Sequence, residues 1–281
     1  MSDGLRMLER NRLLYEYLLQ SRILKPQDRP DTEELLERIE ALARFAWRNH
    51  TGYFADGRLE NLLLGFCRPS SDSREPDEPV AEHRFSVLHV ATELGQVGGH
   101  TRILFQMLRR SNDPQQAVVV TRQQREKIPD WFIAGIGSTP VITLEPGQTL
   151  VERAATLRRL RERSRLVMLY HHPWDALPVI AFAQEGGGAV LLENHAHSWF
   201  WLGCSVADLV VSHSRFHTRF TRDNRPVRAV RHLPFTQLEE LAPAVTPEQK
   251  QLARQQLAIP TDCVCLISIG TAEKFVPNGE Y

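Results

Sequence analysis

Five of the eleven histidines fall in three short segments: Tyr170-His171-His172-Pro173-Trp174-Asp175, Glu193-Asn194-His195-Ala196-His197 and Ser212-His213-Ser214. Histidine is costly to bury without partners and useful wherever a proton or an oxygen must be held near neutral pH. Such crowding favours a site over scattered structural use. A fourth segment, Thr92-Glu93-Leu94-Gly95-Gln96-Val97-Gly98-Gly99-His100, precedes a helical stretch that begins near Thr101. Glycines let the backbone turn tightly and bring its N–H groups close to a ligand, and a following helix N-terminus favours an anion. A phosphate or diphosphate fits that cradle, although the spacing G-x-x-G-G is not the dinucleotide fingerprint and no G-K-[ST] loop exists.

Two chemistries compete for the histidines. His195 and His197 alternate on one side if the strand continues, and with Glu193, His171, His172 or Asp175 they could ligate zinc or another transition metal. Against that, no H-E-x-x-H helix or other long-range metal signature appears. The alternative is hydrogen bonding to sugar hydroxyls, since a neutral imidazole both donates and accepts. We expect no metal and no cofactor.

These residues need strands and helices to hold them. Apolar, β-branched runs occur at 85–91, 117–120, 141–144, 166–170, 189–192 and 207–211, with amphipathic stretches such as Thr101–Arg110 and Thr149–Arg163 between several of them. Strands apolar on both faces and separated by helices predict an α/β domain, a Rossmann-like doubly wound parallel sheet. In such a sheet ligands gather at the carboxyl ends of the strands, where all four segments fall.

Ahead of this domain, residues 1–67 read as a helical extension. Leu35, Leu36, Ile39, Leu42 and Ala46 recur at helical spacing after an Asp31/Glu34 start, and Leu59, Leu62, Leu63 and Phe66 suggest a third helix. Packing against the main domain is favoured over a docking role, and nothing in the extension looks catalytic. Residues 68–83 hold three prolines, three serines and seven charged side chains, a linker composition. The α/β domain is expected over 84–240, with 241–281 opening a second domain: a helix with Thr246 as N-cap before Pro247, then a strand over Asp262–Ile269.

With 34 basic and 34 acidic residues the chain has no net charge, which disfavours nucleic acid as a partner. Cys67, Cys204, Cys263 and Cys265 lack zinc or disulfide-scaffold spacing. Residues 1–19 lack signal-peptide order, and no run reaches 18 apolar residues, so neither a transmembrane segment nor export is expected and a cytoplasmic location is the default. There is no G-x-S-x-G and no assignable catalytic triad.

The order strand, glycine loop GQVGG, helix, then HHPWDALPVIAFA, ENHAHSWFWLG and ADLVVSHSRFHTRF resembles the N-terminal half of a GT-B glycosyltransferase. It is most similar to the large retaining, family 4-like group of nucleotide-sugar enzymes, which includes sucrose-phosphate synthases and bacterial lipopolysaccharide and phosphatidylinositol glycosyltransferases. ARQQLAIPTDCVCLISIGTAEKF matches the opening of that fold's second, nucleotide-binding domain. The resemblance covers about 84–281 and implies transfer of a sugar from a nucleoside-diphosphate sugar to an acceptor hydroxyl, in glycan or glycoconjugate synthesis. It places Gly98 and Gly99 by the donor diphosphate and His195 at the donor sugar near the reaction centre. His171, His172, Asp175 and His197 are assigned to the acceptor or sugar. The acidic pair and basic residue that grip the donor in such enzymes would lie beyond Tyr281, so the chain is expected to stop inside its second domain and not to transfer sugar alone. A non-catalytic sugar- or phosphate-binding module and a metal-dependent hydrolase are the competing classes. The acceptor and the oligomeric state are not encoded in any motif.

Overall fold

The computed structural model describes residues 2–66, 84–111, 113–144, 147–183, 186–196, 198–234 and 245–266. Residues 7–235 form one compact unit, and the C-terminal helix belongs to another.

Three N-terminal helices come first: α1 (Asp3–Leu18), α2 (Thr32–Arg48) and α3 (Gly57–Gly65). The Asp31 carboxylate accepts from the Glu34 N–H and starts α2, and Asp56 does the same for α3 through Arg58 N–H. The expected strands then follow as β1 (Phe85–Ala91), β2 (Gln116–Val120), β3 (Val141–Thr143), β4 (Ser164–Tyr170), β5 (Ala189–Glu193) and β6 (Leu209–Ser212). Between them lie α4 (Gly99–Arg110), α5 (Asp130–Gly135), α6 (Leu150–Glu162) and α7 (Leu177–Phe182), and α8 (Arg215–Asn224) leads to β7 (Val230–His232). The Thr149 hydroxyl and the Glu152 side chain close a capping box at the start of α6.

All described strands pair in parallel in the order β3-β2-β1-β4-β5-β6-β7, a doubly wound Rossmann-like α/β sheet. β7 was not expected: three residues, two of them the exposed Arg231 and His232, leave no apolar run to read. As an edge strand it needs only one buried face.

The period of two in the strands builds two cores. Leu88, Val90, Ala117, Val119, Val167 and Leu169 face α6 and α7, while Ala91, Val118, Val120, Met168 and Tyr170 face α4 and α5. The N-terminal helices add a further layer on the first side, where Leu36, Ile39, Leu59 and Leu63 join the core of Leu157, Val179 and Phe182. Beyond apolar packing, they send glutamates into the sheet unit. The Glu33 carboxylate accepts from Leu150 N–H (2.9 Å) and Val151 N–H (3.3 Å) at the start of α6. The Glu60 carboxylate accepts from Gly203 N–H (2.9 Å), Cys204 N–H (3.2 Å) and Ser205 N–H (2.7 Å). Each carboxylate satisfies amides that a loop or helix start leaves without partners.

In the other unit, α9 (Pro247–Gln256) starts with a complete capping box of Thr246 and Gln249, with Pro247 in the first turn. The described part of the strand expected over Asp262–Ile269 is irregular, with Val264 and Leu266 exposed. Among the described residues no strand lies beside it to satisfy an extended backbone. Residues 267–269 lie outside the described residues.

Candidate functional site at the carboxyl edge

The strand order reverses direction between β1 and β4, and the crevice at the carboxyl ends of those strands is where an open α/β sheet binds ligands. The loop after β1 enters this crevice. Gln123 pins it: its amide oxygen accepts from Leu94 N–H (2.7 Å), and its amide nitrogen donates to the Leu94 carbonyl (3.0 Å). Gly95 N–H donates to the Thr101 hydroxyl (2.9 Å). Gly98 then sits at φ 144°, ψ 147°, a conformation reserved for glycine, and α4 starts at Gly99 with no side chain capping it. The result is a helix N-terminus that no side chain caps by a hydrogen bond, suited to an anion.

Histidines converge on that loop. His100, in the first turn of α4, has its ring 5.2 Å from the His195 ring and 5.6 Å from the His172 ring. Its Nε2 donates to the Glu93 carbonyl (3.1 Å), which leaves Nδ1 as the acceptor. Burial, then the neighbouring His195, pushes its pKa down to about 4, so His100 is a neutral imidazole. His172 lies 3.5 Å from the Glu93 carboxylate, and burial lowers its pKa despite that charge.

His195 stands two residues past the end of β5, which closes on the fully buried Glu193. The Glu193 carboxylate accepts from His195 Nδ1 (3.0 Å) and from His213 Nε2 (2.5 Å). Burial alone would raise the Glu193 pKa, but the two histidine hydrogen bonds and charges outweigh it and hold the acid at about 2. His213 also donates through Nδ1 to the Leu233 carbonyl (3.2 Å). With a carboxylate on one nitrogen and a carbonyl on the other, both of its nitrogens carry hydrogen. Burial lowers the His213 pKa, and Glu193 more than reverses that. Glu193 therefore fixes the His195 ring through the hydrogen on Nδ1 and turns Nε2 away from that carboxylate. The Trp201 ring, edge-on at 4.9 Å, packs beside His195.

The other expected site residues divide. His171 is fully buried, its Nε2 donating to the Leu202 carbonyl (2.9 Å), with burial pushing its pKa down to about 4. Gly203, at φ 109°, makes room for it, since a Cβ there would stand 2.9 Å from the ring. Asp175 is also fully buried; it accepts from the Thr92 hydroxyl (2.6 Å), Arg122 Nε (3.2 Å) and Leu177 N–H (3.1 Å). Both side chains are sealed from solvent and held by hydrogen bonds within the protein, beneath the carboxyl edge. His197 lies outside the described residues. Among the described residues, no group of three or more His, Cys, Asp or Glu side chains could hold a metal ion.

Glu40 and His100 are the members that sequence reasoning passed over. His100 was legible as the residue closing the glycine loop. Glu40 carries no local signal: it belongs to α2, yet its carboxylate accepts from Ala176 N–H (2.9 Å) and from Arg122 beside Asp175.

No family model matches the chain, and no curated protein matches it. Among solved structures it is similar to a mutant O-GlcNAc transferase of Thermobaculum terrenum, at 13% identity and a TM-score of 0.45, over 85% of this chain and 44% of that one. The chain thus spans less than half the length of that protein. No described helix is long and apolar enough to cross a membrane.

Proposed function

We propose that residues 84–240 form the acceptor-side lobe of a GT-B glycosyltransferase, which transfers a sugar from a nucleoside-diphosphate sugar to an acceptor hydroxyl. The observation that carries this reading is the approach of His100, at the head of the glycine-led helix, to within 5.2 Å of the ring of His195, itself oriented by a buried carboxylate. An uncapped helix start suits a diphosphate, and imidazoles held neutral suit sugar hydroxyls. Gly98 and Gly99 would face the donor diphosphate. His195 would meet the donor sugar at the reacting end, with Nε2 able to accept a hydroxyl proton. His172 stands on the acceptor side, and His171 and Asp175 hold the floor beneath it. Residues 241–281 would open the lobe that grips the nucleotide.

Saturation-transfer NMR with a panel of nucleoside-diphosphate sugars and the matching free sugars tests this. Contacts to the diphosphate-bearing ligands are expected, weakened about tenfold or more by Gly99→Asp, which sets a carboxylate against the phosphates, and reduced at the sugar protons by His195→Ala. Binding indifferent to both substitutions overturns the reading, as would hydrolysis that depends on added metal.

A further inference from the structure

The N-terminal helices reach the floor of the crevice through α2, where Arg44 stands over the Trp174 ring at 3.8 Å and Glu40 lies deeper. Glu40, nine-tenths buried, and the fully buried Asp175 flank a single guanidinium, that of Arg122 in the loop after β2. From Asp175 a hydrogen-bonded path leads outward: the Thr92 hydroxyl donates to Asp175 Oδ2 (2.6 Å), and His172 N–H donates to that same Thr92 oxygen (2.8 Å). Glu40 also accepts from Ala176 N–H, next to Asp175. Arg122 further underlies the Trp174 ring at 5.5 Å, and Trp174 meets His172 edge-on at 5.5 Å. Two routes therefore run from Glu40 to His172, one through hydrogen bonds and one through packing.

We propose that Glu40 is a positioning residue of the candidate site, so that the N-terminal helical segment forms part of the ligand crevice through the Glu40–Arg122–Asp175–Thr92–His172 chain. This rests on reading the carboxyl edge as the ligand site. The chemistry is that of two carboxylates competing for one fixed cation in a space largely shielded from water. Burial first, then the Asp175 charge, raises the Glu40 pKa to about 7, and Arg122 and the Ala176 amide offset only part of that. Arg122 and Thr92 hold Asp175 ionised and its pKa low against its burial. Arg153 of α6, with Glu33 beyond it, His171, and Arg44 of α2 over the Trp174 ring are the other ionisable groups set around the pair. When Glu40 takes a proton it remains a neutral hydrogen-bonding group, and Arg122 is left to Asp175. A proton on Glu40 is therefore expected to be felt at Thr92 and His172 through Asp175.

The test uses amide hydrogen exchange and NMR shifts of the whole chain. Glu40→Ala, Glu40→Gln and Leu36→Ala are compared, the last removing only packing from the same helix. The expected result is that Glu40→Ala speeds exchange of the His172 amide about tenfold more than Leu36→Ala at matched global stability. In the native chain the Thr92 methyl signal should step with pH near 7, and Glu40→Gln should abolish that step while keeping the His172 amide protected. A His172 exchange rate no different between Glu40→Ala and Leu36→Ala overturns the proposal, and so does a Thr92 step that survives Glu40→Gln. A second arm titrates uridine diphosphate glucose. Binding by the native chain, weakened about threefold or more in Glu40→Ala, is expected, and equal binding by both chains overturns the inference while leaving the function standing. If the native chain binds none, the proposed function fails, and the exchange and pH arms still decide whether Glu40 positions His172.

Discussion

Glu193 and Glu40 are glutamates buried at the same edge of one sheet, and the structure drives them in opposite directions. Glu193 sits between two imidazoles and is held ionised down to about pH 2. Glu40 shares one guanidinium with a second buried carboxylate, and its pKa climbs to about 7. Desolvation raises both; the number of cationic partners per carboxylate decides the outcome. One site therefore fixes a charge and the other releases it near neutrality. A fixed charge suits the group that orients His195, and a releasable one suits a group that tunes the floor beneath His172.

The largest expected effect comes from Glu193→Gln. Removing the carboxylate weakens the two hydrogen bonds that Glu193 takes from His195 and His213, and His213 gives up its proton, at a cost of about 3 kcal/mol. Chemical denaturation at pH 7 measures this, and a loss below about 1 kcal/mol would erase the contrast with Glu40. In the same variant the His213 ring should titrate at lower pH than in the native chain, an NMR measurement independent of stability.

Asp175→Asn comes next. It keeps the shape but removes one of the two charges on Arg122, so the Glu40 pKa should fall toward the ordinary carboxylate range. Stability should drop by about 2 kcal/mol as the buried charge-assisted hydrogen bonds weaken. If Glu40 titrates in Asp175→Asn as it does in the native chain, sharing of one guanidinium is not what raises it.

The pH profile of stability separates the two acids by sign. Glu193 has its folded pKa depressed from about 4.5 to about 2, so its contribution is present above about 4.5 and disappears as pH falls toward 2. Glu40 has a folded pKa raised from 4.5 to about 7, so the folded state binds the extra proton: stability is greatest below about 4.5 and is lost as pH rises to 7. His100 and His171, with pKa values depressed to about 4, prefer the neutral form, so their contribution is present above about 6.5 and lost between 6.5 and 4. Urea midpoints from pH 4 to 9 should therefore peak near pH 6 to 7. A profile still rising through pH 8 contradicts the assignment for Glu40.

Glu40→Gln should have the smallest effect, within about 1 kcal/mol at pH 5 and a gain of similar size at pH 8, since it removes a charge the native fold carries at a cost. Paired urea titrations at the two pH values would show it. A loss at pH 8 comparable to that of Glu193→Gln would place both acids in one class.

The history of these residues shows what a sequence can reveal. Near-continuous apolar runs made β1, β2 and β4 visible because both of their faces are covered, whereas β7, with Arg231 and His232 exposed, left no pattern. The glycine loop was visible because only glycine tolerates the backbone at Gly98, where φ is 144°. His171 and His172 are adjacent and look alike in sequence, but one is sealed in the core under Gly203 and the other faces the crevice. Only the packing of the 198–206 loop separates them. Glu40 was illegible for a different reason: its partners Arg122 and Ala176 lie 82 and 136 residues away. An acidic residue on a helix otherwise reads as a solvated one.

The central claim, that the glycine loop and the histidines His100, His172 and His195 line one crevice for a nucleoside-diphosphate sugar, is tested most directly by histidine-ring NMR during addition of millimolar uridine diphosphate glucose. The ring signals of His100, His172 and His195 should move together with one apparent affinity, while that of His89, buried within the sheet, stays in place. Gly99→Asp should suppress all three movements. Binding that leaves those three signals unmoved, or that moves them with unrelated affinities, would contradict the account.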